Sequence, residues 1–181
     1  MTAGGKTWCR MAHRIWAVPE TARPKRGVAH LHRETLVPAS LEDTFAFFSD
    51  AAKLERLTPS WLNFTILTPT PVVMREGLEI DYRIRLYGIP IPWRSRIDVW
   101  EPGVRFIDRQ LLGPYRWWRH EHLFEAAAGA TRVIDRVEYM PRARWITGAL
   151  VRRDLERIFT YRQRALGELL GGHDGPRAAV P

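Results

Sequence analysis

The feature that most constrains this chain is a change of hydrophobic period. From Glu79 to Met140 apolar and polar residues alternate in runs separated by turn residues, whereas from Trp145 to Leu170 the apolar residues recur about every 3.6 positions. In the first region Ile80, Tyr82, Ile84 and Leu86 alternate with Glu79, Asp81, Arg83 and Arg85, the pattern of a strand with one wet and one buried face. Gly88 with Pro90 and Pro92, Pro102-Gly103, Gly113-Pro114 and Ala126 to Ala130 turn the chain between further strands at 93–101, 104–112, 116–125 and 131–140. No helical pattern separates them, so an antiparallel meander is expected rather than crossover units. The second region is one long helix, with Ile146, Ala149, Leu150, Leu155, Ile158, Phe159, Leu166, Leu169 and Leu170 on a broad apolar face. Arg152, Arg153, Arg157 and Arg164 fall mostly opposite, and Gly171-Gly172 is the stop signal.

Upstream, His30 to Val37 reads as a first strand ending at Pro38. Ser40 with Asp43 three residues on is an acidic capping box ahead of Leu41, Phe45, Phe48 and Ala52. The helix is expected to break near Ser49-Asp50 and to resume as a short one until Pro59; Leu62 to Leu67 then reads as a strand. The fold class is therefore α+β: a curved antiparallel sheet wrapped on a long carboxy-terminal helix, with two short helices between the first and second strands. Such a sheet buries one face against the helix and leaves room for a cavity between them.

Composition narrows the function classes. With 45% hydrophobic residues, eight Trp and seven Phe, the 181-residue chain can offset the entropy of folding. Cys9 is the sole cysteine, which excludes an internal disulfide or a cysteine zinc site and suits a reducing, cytoplasmic setting. The net charge of +8 is concentrated in residues 1–29, where Lys6, Arg10, Arg14, Arg23, Lys25 and Arg26 face Glu20 alone. That leader reads as a flexible tail, or as chain upstream of the true start, able to touch an anionic membrane weakly. Residues 30–171 are the expected domain and 172–181 a disordered tail. Basic and aromatic residues interleave from Tyr115 to His122, but no helix-turn-helix, zinc-finger or RNA-binding signature accompanies them, and no specific nucleic acid is expected.

Polar residues on the strands are the chemical candidates. His120 and His122 share a strand face with Trp118 and Phe124, and either imidazole could act as general acid or base. A metal site needs a third ligand, which the local sequence does not offer, so no metal and no cofactor are expected. Asp108 and Gln110 share a face with Phe106, while Ile107 and Arg109 share the other; periodicity alone allows either to be inside. The same ambiguity holds for Asp135, Val137 and Tyr139 against Ile134, Arg136 and Glu138. Arg83, Arg85, Arg94 and Arg96 with Glu79, Asp81 and Asp98 read as a salt-bridged outer surface.

The element order, the opening Leu36-Val-Pro-Ala-Ser-Leu-Glu-Asp-Thr-Phe45 and the closing helix resemble the SRPBCC or START-like superfamily over residues 30–170. The segments Gly88-Ile-Pro-Ile-Pro-Trp-Arg94 and Gly113-Pro-Tyr-Arg-Trp-Trp-Arg-His-Glu-His-Leu-Phe-Glu125 are similar to a bacterial ligand-binding branch of it. The resemblance implies a helix-grip fold and a cavity for a hydrophobic or amphipathic molecule, lipid, quinone or polyketide-like. It places Asp135 and Tyr139 inward, with Tyr82 as their companion. Candidate ligand contacts are then Tyr82, Phe106, Asp108, Gln110, Trp118, His120, His122, Asp135, Tyr139 and Phe159. The alternative is a cofactor-independent cyclase or dehydratase, with His120, His122 and Asp108 as candidate catalytic groups.

Overall fold

A computed structural model describes residues 27–142 and 144–171. The basic leader up to Arg26, Cys9 and the segment after Gly171 lie outside the described residues. Seven strands form one antiparallel sheet, β1 (Ala29–Val37), β2 (Thr65–Ile66), β3 (Glu79–Leu86), β4 (Ile89–Glu101), β5 (Arg105–Leu112), β6 (Tyr115–Ala127) and β7 (Ala130–Pro141). The order across the sheet is β1-β7-β6-β5-β4-β3-β2, so β3 to β7 form the expected meander and β1 closes onto the last strand. Helix α1 (Leu41–Phe48) and two 3-10 helices (Ala51–Leu57 and Ser60–Leu62) follow β1, and α2 (Arg144–Leu170) closes the chain. This is the α+β architecture expected from the period change.

Local chemistry accounts for the element boundaries. Ser40 caps α1 by accepting from the Asp43 amide at 3.0 Å while its hydroxyl donates to the Asp43 carboxylate at 2.6 Å. Asp50 caps the next turn through the Ala52 amide, where the sequence suggested a break. The strand expected from Leu62 to Leu67 is shortened to Thr65–Ile66, because Ser60–Leu62 coils as a 3-10 turn and Asn63 takes a left-handed conformation.

The β3–β4 turn also differs from expectation. Tyr87 and Gly88 both have positive φ, which closes a two-residue hairpin, and Pro90 and Pro92 belong to β4 itself. They are tolerated because β5 pairs with β4 only from Arg94 onward, so their side of the strand is an edge needing no amide donor.

Register shifts between Arg94 and Ser95, between Ile97 and Val99, and between Tyr115 and Trp117 bend the long strands around α2. The helix stripe of Leu155, Phe159 and Leu166 is buried against the concave face. Gln163 Nε2 donates to the Glu34 carbonyl at 2.9 Å and Arg33 pairs with Glu156, tying α2 to β1. Two apolar clusters result. One gathers Val37, Phe45, Phe48, Phe106, Phe124 and Leu166; the other gathers Phe64, Ile84, Trp93, Trp118, Leu155 and Phe159. Each fully buried aliphatic or Phe side chain contributes about 1.5–3 kcal/mol of transfer free energy. The outer face is salt-bridged as expected: Arg94 makes a two-point pair with Asp81 at 2.7 and 2.8 Å, and Asp98 accepts from Arg96 and Arg109 at 2.8 and 2.7 Å.

Candidate functional site

A cavity of about 190 Å³ lies between the concave face of the sheet, α2 and the short helices. Ile80, Tyr82, Ile84 and Leu86 of β3, Trp93 of β4, Trp118 of β6 and Leu155 and Phe159 of α2 are among its lining residues. The polar lining groups include Ser95, Asp108, His120, His122 and Arg162. Phe106 and Asp108 therefore face inward, which settles the ambiguity on β5.

The polar groups come from three adjacent strands and the helix. Asp108 of β5 is the direct register partner of His120 on β6, and His122 is the partner of Asp135 on β7. Because side chains two apart point the same way, both imidazoles enter the same space. Their ring centroids are 3.7 Å apart. His122 stacks on Phe106 at 4.2 Å and touches Phe48, while His120 packs edge-on to Trp118 and Phe159. The pair thus forms the polar seam between the two apolar clusters.

Asp135 Oδ1 lies 2.9 Å from His120 Nε2 and 2.9 Å from His122 Nδ1. On the other side Asp108 Oδ2 lies 3.3 Å from His122 Nε2 and 3.7 Å from His120 Nδ1. Arg162 reaches down from α2, with Nη2 3.3 Å from His122 Nδ1 and Nε 3.8 Å from Asp135 Oδ2. Asp108 Oδ1 accepts from the Ser95 hydroxyl at 3.3 Å, and Ser95 also meets Tyr82 Oη at 3.0 Å and Trp93 Nε1 at 3.1 Å.

Burial pushes the Asp135 carboxyl upward, but the Arg162 charge and the hydrogen bonds from both histidines outweigh it and hold the group well below the usual range. Asp108 is likewise held below its ordinary value, burial being overcome by His122, His120 and Arg162. Burial, reinforced by the neighbouring His122, takes His120 down to about 4 despite the two carboxylates. Burial and the Asp108 charge raise the Tyr82 hydroxyl well above 10, offset in part by Ser95. The cavity wall thus carries an ionised Asp108, a neutral His120 and a protonated phenol at neutral pH, with ionised Asp135 behind it.

Of the residues singled out in the sequence, Tyr82, Phe106, Asp108, Trp118, His120, His122 and Phe159 line the cavity. Three others sit beside it. Gln110 binds the backbone of Tyr115, donating to its carbonyl at 2.9 Å and accepting from its amide at 3.3 Å. Asp135 stands behind the histidines, and Tyr139 packs in the second apolar cluster. Ser95, Trp93 and Arg162 were not among the candidates. Arg162 falls on the stripe of Leu155, Phe159 and Leu166 at helical spacing, a signal that it points inward. The interleaved run of Tyr115, Trp117, Trp118, His120 and His122 is buried throughout, so it offers no exposed platform for stacking bases.

The fold is shared with proteins of known structure. The ZhuI aromatase/cyclase from Streptomyces sp. R1128 superposes with a TM-score of 0.65 at 16% identity, covering 85% of this chain and 100% of that one. The chain has the helix-grip fold. The di-domain aromatase/cyclase StfQ of the steffimycin biosynthetic pathway matches this helix-grip chain with a TM-score of 0.62 at 16% identity, over 80% of this chain and 51% of that one. Ara h 8.0201 matches at 0.59 and 14% identity, over 81% of this chain and 100% of that one. A family model described as a domain of unknown function (DUF8410) matches residues 84–170 of the helix-grip chain, the span holding Asp108, His120, His122, Asp135 and Arg162. No curated protein sequence matches it.

Proposed function

We propose that the chain binds a small, largely apolar molecule in the cavity between sheet and helix, with a polar end of that molecule at the histidine seam. The observation that carries this reading is the segregation of the cavity wall. Trp93, Trp118, Phe159 and the β3 aliphatics form an apolar slot, and Ser95, Asp108, His120, His122 and Arg162 form one polar patch. A pocket of this kind draws affinity from the apolar walls and orientation from the few polar groups. The volume of about 190 Å³ suits a compact ligand or the buried end of a longer one, of lipid, quinone or polyketide-like type. The folded unit is taken as residues 30–171, working in the cytoplasm, with the basic leader able to touch an anionic surface.

Native mass spectrometry of gently purified protein, followed by solvent extraction, tests the reading. A released apolar compound in one-to-one ratio is the expected result. A chain that carries nothing, and whose melting temperature no apolar compound raises, contradicts it.

A second reading has one observation in its favour. His120 and His122 face the cavity with a carboxylate on either side, as acid–base chemistry of the cyclase or dehydratase kind requires. Under that reading His122→Ala abolishes turnover of a polyketide-like substrate while the variant still binds it. A variant that retains turnover excludes it.

A further inference from the structure

The histidine seam can hold the proton of His122 in two ways: on Nε2 it is shared with Asp108 Oδ2 at 3.3 Å while Nδ1 accepts from Arg162 Nη2 at 3.3 Å, and on Nδ1 it faces Asp135 Oδ1 at 2.9 Å. A neutral imidazole carries one N–H. When His120 and His122 both donate to Asp135 Oδ1, each at 2.9 Å, the remaining lone pairs at His120 Nδ1 and His122 Nε2 both face Asp108 Oδ2. Three acceptor atoms then converge with no hydrogen between them. One donor atom from each of Asp108, His120 and His122 lies within 4.8 Å of the other two. The 3.3 Å and 3.7 Å separations from Asp108 Oδ2 bracket the spacing of roughly 3.4 Å that two ligands adopt on a tetrahedral ion with metal–ligand bonds near 2.1 Å.

The outer contacts point the same way. Histidines that ligate a metal almost always donate the other ring N–H to a carboxylate or carbonyl, which fixes the tautomer and raises the basicity of the ligating nitrogen. Asp135 does this for His120 at 2.9 Å and lies equally close to Nδ1 of His122, which Arg162 Nη2 also approaches at 3.3 Å. Ser95 orients Asp108 through its other oxygen, leaving Oδ2 for the ion. All three candidate ligands line the cavity, so the coordination positions they leave open are turned toward it.

We propose that Asp108, His120 and His122 form a mononuclear site for a divalent first-row transition ion, with open positions facing the cavity. Two imidazoles and one carboxylate in this arrangement suit ions such as Fe(II), Co(II) or Zn(II). The site corrects the expectation that a third ligand is missing, since the antiparallel register supplies Asp108 from the neighbouring strand. The ion also sets the ligand class, a step that rests on the cavity reading above. Without it Asp108, Asp135 and Arg162 leave the seam net negative and hostile to anions; a divalent ion reverses the sign. The ligand is then an apolar molecule ending in an anionic oxygen, such as a carboxylate or enolate.

The test uses the full chain, stripped with chelator and titrated with metal alone. Wild-type protein should take up one Co(II) saturably, and its Cu(II) form should show coupling to two imidazole nitrogens in electron paramagnetic resonance, a readout that needs no variant. Asp108→Asn and His122→Gln should each weaken Co(II) binding by more than about 100-fold, and Asp135→Asn by about 10- to 100-fold. His32→Ala, at an exposed histidine on β1, should change nothing. A folded wild-type chain that binds no ion, or binding that survives Asp108→Asn and His122→Gln, overturns the site. With Zn(II) loaded, 2-naphthoate should bind at least tenfold more tightly than to stripped protein while 2-naphthol is unaffected. Equal affinity for 2-naphthoate with and without Zn(II) overturns the anionic ligand class. Because metal uptake is read without any organic ligand, loss of the ion site and loss of the cavity reading remain separable.

Discussion

Arg162 of α2 is the buried cation that faces Asp135 of β7, its Nε 3.8 Å from Asp135 Oδ2 and its guanidinium 5.1 Å above the Phe48 ring. The contact joins the helix to the sheet at the level of the histidines. Removing one member of a buried charge pair leaves the other uncompensated. Arg162→Leu is therefore expected to lower unfolding free energy by about 3 kcal/mol, and Asp135→Asn to cost less in that background than alone. Urea denaturation of the four proteins in the cycle measures the coupling. Additive effects would mean that the pair does not interact.

Gly113 has a φ of +153°, and a Cβ at this position would lie 2.5 Å from Gln110 Oε1. The side chain it would displace clamps the Tyr115 backbone from both sides. Gly113→Ala should destabilise the protein by about 2 kcal/mol through strain and loss of that clamp. Thermal unfolding reads the loss, and restored stability in Gln110→Ala/Gly113→Ala would attribute it to the clash.

Ser95 is 4% exposed and its hydroxyl meets Tyr82, Trp93 and Asp108. Ser95→Ala strands the Trp93 N–H and the Tyr82 hydroxyl, at an expected cost of about 1–3 kcal/mol. Because Asp108 also loses a donor, ligand affinity should fall with stability. A neutral substitution in both assays would show that the three partners bond elsewhere.

Burial, with the charges of Tyr139 and Asp154, raises the Tyr115 hydroxyl, and Tyr82, Tyr87 and Tyr139 are raised as well. A group with a raised folded pKa confers stability that is fully present below its unfolded value and lost as pH rises toward the folded one. The denaturation midpoint should thus decline above about pH 10, where unfolded tyrosine ionises. Absorbance near 295 nm should lag behind that of the denatured chain and then rise cooperatively with alkaline unfolding. Tyr115→Phe should flatten the decline; an unchanged slope would show that this hydroxyl does not drive it.

Much of the fold was legible in the sequence because period and punctuation carry it. The β3 alternation, the Ser40 cap and the long helix all appear where their residues placed them. Alternation on β5 could not choose a face, since Phe106 and Ile107 on opposite sides are both apolar and both buried. Pairing across strands resolved it. The β5–β6 turn at Gly113-Pro114 sets Asp108 opposite His120, so the third donor follows from register rather than from spacing along one strand. Arg162 was hidden by its charge among the surface arginines of the helix, although its position on the Leu155–Phe159–Leu166 stripe marks it as inward. Ser95 was hidden by its size: a lone hydroxyl on a strand signals nothing until its partners converge on it.

The central claim is that the cavity is a ligand site, and calorimetric titration with 2-naphthol against wild type and Ile84→Trp tests it most directly. Ile84 lines the cavity, and the larger side chain fills space there at a cost of about 1–3 kcal/mol in stability. Saturable one-to-one binding to wild type, weakened at least about tenfold in the folded variant, is the predicted result. No binding to wild type, or equal binding to both, would contradict the account.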